Sequence, residues 1–107
     1  MREINGTYIA GHEVTITDTV YDSDGITPFD GSLYEVIGNG ADITDTTSRV
    51  TFTGTIDSSG NFTATLTSAV TLDLGGKVIV FDIFLKSGPF QFCVASGYLT
   101  FVERITS

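Results

Sequence analysis

The chain predicts an all-β fold, a two-sheet β-sandwich of seven or eight antiparallel strands with one short helical turn. Three observations carry this. Apolar residues alternate with threonine or charged residues along several short stretches, the period-two pattern of half-buried strands. Turn residues recur at roughly ten-residue spacing, as sandwiches require. No stretch has the periodicity of a good amphipathic helix.

The strand that organises the rest is Lys77–Lys86, KVIVFDIFLK. It is apolar at nearly every position and is bounded by Gly75-Gly76 and by Ser87-Gly88-Pro89. Such a run predicts a strand buried on both faces in the middle of a sheet. Ile79, Phe81, Ile83 and Leu85 point one way; Val78, Val80, Asp82 and Phe84 point the other.

In chain order, Arg2–Ala10 is a short lead-in in which Tyr8 and Ile9 make an edge strand. His12–Tyr21 alternates, with Val14, Ile16 and Val20 on one face and Glu13, Thr15, Thr17 and Thr19 on the other. Asp22-Ser23-Asp24-Gly25 and Pro28-Phe29-Asp30-Gly31 are turns, since Asp starts turns and Gly accepts positive φ. Ser32–Ile37 is a short strand. Gly38–Ser48 is the longest polar segment and predicts a mobile loop.

Arg49–Ile56 and Asn61–Thr67 form a hairpin across Asp57-Ser58-Ser59-Gly60, with Gly60 left-handed. Val50, Phe52, Ile56, Phe62, Ala64 and Leu66 face inward; the threonines between them face out. Ser68–Leu74 predicts one helical turn capped by Ser68 and ended by Gly75, with Val70, Leu72 and Leu74 plugging one end of the core. After the buried strand, Phe90–Val94 pairs back on it, Ala95-Ser96-Gly97 turns, and Tyr98–Ile105 is the last strand.

At 107 residues the chain is read as one domain, residues 1–107. Scaling laws bury about two-thirds of its surface, enough for a core without disulfides. Cys93 is the one cysteine, so no intramolecular bridge is open to it, and it reads as a small buried hydrophobe. The net charge of −8 argues against nucleic acid and fits a solubilising surface or a basic partner. The start MREINGTYIAG has no apolar core of a secretion signal. Lys77–Lys86 is about half the length needed to cross a membrane.

Asp22, Asp24, Asp30 and Glu35 invite a calcium reading. The EF-hand pattern is not met, because Ile26 stands two positions after Asp24, and acidic turns explain the group. His12 is the lone histidine and makes neither a zinc site nor a triad. Asp82 in an apolar run needs a hydrogen-bonding partner, and no second carboxylate is placed beside it. Thr51, Thr53 and Thr55 beside Thr63, Thr65 and Thr67 make a flat hydroxyl face, which threonine's β-propensity also explains. Asn5-Gly6-Thr7 and Asn61-Phe62-Thr63 match the glycosylation sequon and are read as chance matches.

Taken end to end, the order of features resembles small immunoglobulin-like structural proteins of tailed bacteriophages, such as the N-terminal domain of baseplate upper proteins and related tail, neck or head-decoration modules. It rests on an early strand followed by an Asp-Gly turn and an Asp-Gly-Ser segment (Val14–Ser32). A leucine-threonine helical turn follows (Leu66–Leu74), then Phe81-Asp82-Ile83 in a strand, then a glycine-led last strand (Gly97–Thr106). The resemblance implies an immunoglobulin-like β-sandwich and a non-enzymatic virion structural protein. It would sit on the outer surface of head or tail, after assembly in the host cytoplasm. Its partners would be other virion proteins in a symmetric multicopy assembly, with no cofactor, metal, nucleic acid or membrane.

Contacts are then expected at the N-terminal arm Met1–Gly11, including Tyr8 and Ile9, at an edge strand, and at Asn39, Asp42, Ile43 and Asp45 of the polar loop. Deleting Met1–Gly11 is expected to spare the fold. The alternative is a carbohydrate-binding module using Tyr8, Tyr21, Tyr34 or Tyr98; the absence of tryptophan counts against it. An enzyme built on Asp82 is a third, weaker reading.

Overall fold

The computed structural model describes residues 2–22 and 24–103. Seven strands are present among them: β1 (Arg2–Ile9), β2 (Val14–Thr19), β3 (Glu35–Asp42), β4 (Asp45–Ile56), β5 (Asn61–Leu66), β6 (Val78–Ser87) and β7 (Phe90–Val102). Between β5 and β6 lies one helical turn, α1 (Ser68–Thr71), which tightens into a 3₁₀ turn over Leu72–Leu74. Ser23, Met1 of the expected arm, and Ile105 at the expected end of the last strand lie outside the described residues.

The strands form one mixed sheet in the order β1-β7-β6-β3-β4-β5-β2. Only β1 and β7 run parallel; every other pair is antiparallel. The sheet folds over on itself at β4. Its first part pairs with β3 as far as Phe52, and from Thr53 it pairs with β5. The two halves thus face each other across one core, a nearly barrel-like closure that stops short at β1 and β2. The molecule is elongated, 45 × 25 × 20 Å.

Period-two patterning explains which residues fill the core. Val14 and Ile16 from β2, Phe62, Ala64 and Leu66 from β5, and Val50 and Phe52 from β4 are buried. They meet Ile79, Phe81, Ile83 and Leu85 of β6 and Leu99 and Phe101 of β7. The β4–β5 hairpin is as expected: Gly60 has φ 79°, and the Asp57 carboxylate accepts the N–H groups of Ser59 and Asn61 at 2.9 and 3.0 Å.

Several expectations are corrected. The two expected sheets of antiparallel strands are one mixed sheet in which β1 runs parallel to β7, because β4 continues from one half into the other and β1 adds to the outer edge of β7. The strand expected at residues 77–86 is buried on one face only. Val80 is 38% exposed, and Val78, Asp82 and Phe84 are partly buried, because the half-sheet of β2, β5 and β4 covers a single face. The expected loop at residues 38–48 is instead the end of β3, a two-residue turn at Ile43-Thr44, and the start of β4. The expected turn at residues 95–97 does not exist, and β7 runs unbroken for 13 residues. In the helical turn, Leu74 is buried and Val70 half-buried, but Leu72 is 56% exposed; the N-cap is Thr67 and makes no side-chain cap.

The N-terminal segment is an edge strand rather than an arm. All eight residues of β1 pair in register with Ala95 to Val102. Gly97 makes this possible: a Cβ there would overlap the Ile4 carbonyl group. Deleting residues 1–11 therefore removes a strand, and the expectation that this would spare the fold is withdrawn.

The helical turn is tied to the β1–β2 connection by Thr71, which is fully buried. Its hydroxyl donates to the His12 carbonyl at 2.7 Å and accepts the Gly11 N–H at 3.1 Å. Thr71→Val keeps the shape but strands both backbone groups. The expected cost is about 2 kcal/mol, read as a lower urea midpoint at unchanged m-value. No change in midpoint would mean that water satisfies both groups.

Candidate functional site

The residues expected to make contacts fall at one end of the β1-β7-β6-β3 half of the sheet, but on opposite sides. Gly6, Leu99, Ile79 and Asp42 stand in one transverse row across β1, β7, β6 and β3. Tyr8 and Ile9 on β1 are thus roughly 14 Å, three strand spacings, from the β3–β4 turn. Ile9 is 45% exposed at the sheet edge, whereas Tyr8 leans inward onto Phe101 with ring centroids 6.0 Å apart.

In the turn, Ile43 is half exposed, and its N–H donates to Val78 at 2.9 Å. Asn39 is exposed in mid-strand, between Thr51 and Asp82. Asp45 accepts the Thr47 hydroxyl at 2.6 Å. Asp42 is buried, contrary to its expected role as a contact. Its carboxylate accepts the N–H and hydroxyl of Thr44 at 3.0 and 2.9 Å, so it builds the turn.

Two acids of the calcium reading, Asp24 and Asp30, are occupied in the same way. Asp24 accepts the hydroxyl of Thr27 at 2.6 Å and the N–H groups of Ile26 and Thr27 at 2.8 Å; Asp30 accepts the Ser32 N–H at 3.0 Å. Among the described residues, no three His, Cys, Asp or Glu side chains are grouped to hold a metal ion. Asp82 lies between Ser96 and Asn39 on the neighbouring strands, with no carboxylate directly across on either side.

These hydrogen bonds favour the ionised carboxylates and hold four of them below the ordinary value of 3.8. The main donor is the Thr27 hydroxyl for Asp24, the Ser32 N–H for Asp30, the Thr44 N–H for Asp42 and the Asn61 N–H for Asp57. The folded pKa is depressed in each case, so the unfolded chain takes up protons first as pH falls. Their stabilisation is complete above about pH 5 and is lost through and below 3.8. The melting temperature should stay flat from pH 7 to 5 and fall below 4. Combining Asp24→Asn with Asp57→Asn should flatten that fall, and an unchanged acid limb would remove these turns as its cause.

Two features were not read from the sequence. The first is an aromatic cluster at the far end of the molecule. Phe29, Tyr34 and Phe92 meet edge to face, with centroids 5.0 to 5.9 Å apart. Exposed apolar side chains occupy the adjoining β2–β3 connection and β6–β7 hairpin: Tyr21, Ile26, Leu33 and Phe90. Beside the cluster, a cleft of about 540 Å³ opens between Asp18 to Tyr21 and Phe92 to Val94, with Phe62 also in its wall. The Phe90-x-Phe92 alternation is its one sequence signal.

The second feature is the composition of the threonine face. Register sets Thr15, Thr65 and Thr53 in one row across β2, β5 and β4, and Thr17, Thr63 and Thr55 in the next. Thr15 and Thr65 hydroxyls are 3.3 Å apart, and Thr55 and Thr63 hydroxyls 3.4 Å. The face thus draws on β2 as well as the expected hairpin, while Thr51 pairs elsewhere, opposite Asn39.

No protein-family model matches the chain, and no curated protein matches it.

Proposed function

We propose that the chain is a non-enzymatic structural protein of a bacteriophage virion, an immunoglobulin-like sandwich that attaches to neighbouring virion proteins on the head, or on the tail, neck or baseplate. The pairing order is the observation that carries this reading. An immunoglobulin sandwich of the constant type pairs its first, second, fifth and fourth strands in one sheet and its third, sixth and seventh in the other; β1 departs from this by pairing with β7. Here β2-β5-β4 and β3-β6-β7 follow that order, and β4 continues from one half into the other. The exposed apolar and aromatic groups at one end supply a surface for a neighbour, and multicopy symmetry multiplies weak contacts.

Quantitative mass spectrometry of purified virus particles from the source tests the proposal. Copy number near that of the major shell protein means a head-decoration role; a few copies mean tail, neck or baseplate. Complete absence from particles ends the reading. The two rows of threonines favour a second reading, a glycan-binding face on β2-β5-β4. A glycan array without hits removes it.

A further inference from the structure

The sheet is left open between its two outer strands, and the opening is not uniform. β1 covers the outer edge of β7 only from Ala95 to Val102. Upstream, Phe90 to Cys93 pair with β6 on one side and Val94 stands unpaired at a bulge, and among the described residues no strand pairs with their other side. Among the described residues, β2 likewise pairs only with β5. A strand bonded on one side directs N–H and C=O groups outward on its other side, a template for a further strand. The two bare edges flank the cleft described above, whose walls include Asp18, Val20, Phe62, Phe92 and Val94.

Three properties specify what fits. The line of β1, continued backward along β7, enters the cleft, so an added strand would lie parallel to β7 and extend a pairing the fold already contains. Phe62 and Val94 are both buried, which gives the cleft an apolar floor for alternate side chains of the added strand. Asp18 lines the wall, and Asp22, Asp24 and Asp30 follow in the adjoining connection, on a chain of net charge −8. That charge repels a second copy and attracts a cationic segment.

We propose that the cleft between the end of β2 and the start of β7 accepts an extended segment of a partner protein, with alternate apolar residues facing the core and lysine or arginine between them, added as a strand in line with β1. This deepens the assembly reading by naming how a neighbour attaches. Its test uses no viral component, so failure here and absence from virions are separate results.

Cys93 lies in the cleft and is half-buried, and as the sole thiol it reports occupancy. The full chain is extended before Met1 by Lys-Val-Lys-Val-Lys-Val, which places the strand at high effective concentration. The expected result is Cys93 alkylation slowed at least tenfold, slowed amide exchange at residues 90–94, and a melting temperature raised by at least about 5 °C. The same extension with proline in place of valine should do none of these, because every second residue then lacks an N–H and the proline rings fix φ away from the extended strand. A free peptide of four Lys-Val repeats should slow alkylation saturably, at concentrations at least tenfold lower than four Glu-Val repeats. If the Lys-Val extension leaves alkylation and exchange unchanged, the cleft does not accept a strand. If the acidic peptide protects equally, the occupant is not basic.

Discussion

Phe101→Ala is expected to cost about 3–5 kcal/mol. Phe101 is 1% exposed, sits in the central core with Leu99, and carries the Tyr8 ring against it. The core cluster it belongs to draws on both halves of the folded sheet, whose strands are held by ladders, so it collapses poorly into the space left behind. The backbone of Phe101 also accepts from Gly76 and donates to Lys77, which anchors the β6 entrance. A domain of this size has about 5–15 kcal/mol of stability in all, so the variant is near the edge of folding. The melting temperature should fall by on the order of 15 °C. Phe101→Leu, which keeps most of the volume, should recover more than half of the loss. A fall of only a few degrees for the alanine variant would mean that the core closes over the gap.

Gly97→Val should cost a similar amount through a different cause. A side chain at Gly97 runs into the Ile4 carbonyl, a backbone group that cannot swing aside. Either β1 leaves β7 or both strands distort. The expected loss is about 3–4 kcal/mol. It should come with fast amide exchange throughout β1, while β5 and β6 keep their protection relative to the new global stability. Gly88→Ala is the control: its Cβ meets nothing within 4 Å, and only its φ of 57° opposes the change, so about 1 kcal/mol or less is expected. Equal exchange in β1 before and after Gly97→Val would show that the parallel pair tolerates a side chain there.

The all-β class, the β4–β5 hairpin and the inward residues of β2, β5 and β6 were legible because each rests on local alternation. What was not legible depends on neighbours far away in sequence. Gly97 looks like a turn residue but serves close approach to a strand that begins the chain. Gly38 and Gly40 look like loop residues; in β3 they leave room for Phe52, Val50 and Ile79, and a Cβ at Gly40 would come within 2.7 Å of Ile79. Asp42 reads as a solvent-facing loop acid, yet it is buried and its carboxylate closes the β3–β4 turn through the Thr44 hydroxyl. The inner face of β6 was evident from its residues, but that its other face stays half open depends on which half-sheet covers it. The six-threonine array needed the β2–β5 register, which no local pattern contains.

The parallel pairing of β1 with β7 also has a mechanical meaning. Tension applied at Arg2 and at Glu103 pulls β1 backward and β7 forward along their shared line. The load runs in shear down the whole eight-residue ladder, and its bonds resist together instead of opening one by one as in a zipper. A load applied between residues 2 and 103 therefore meets this ladder before it reaches the half-sheet of β2, β5 and β4.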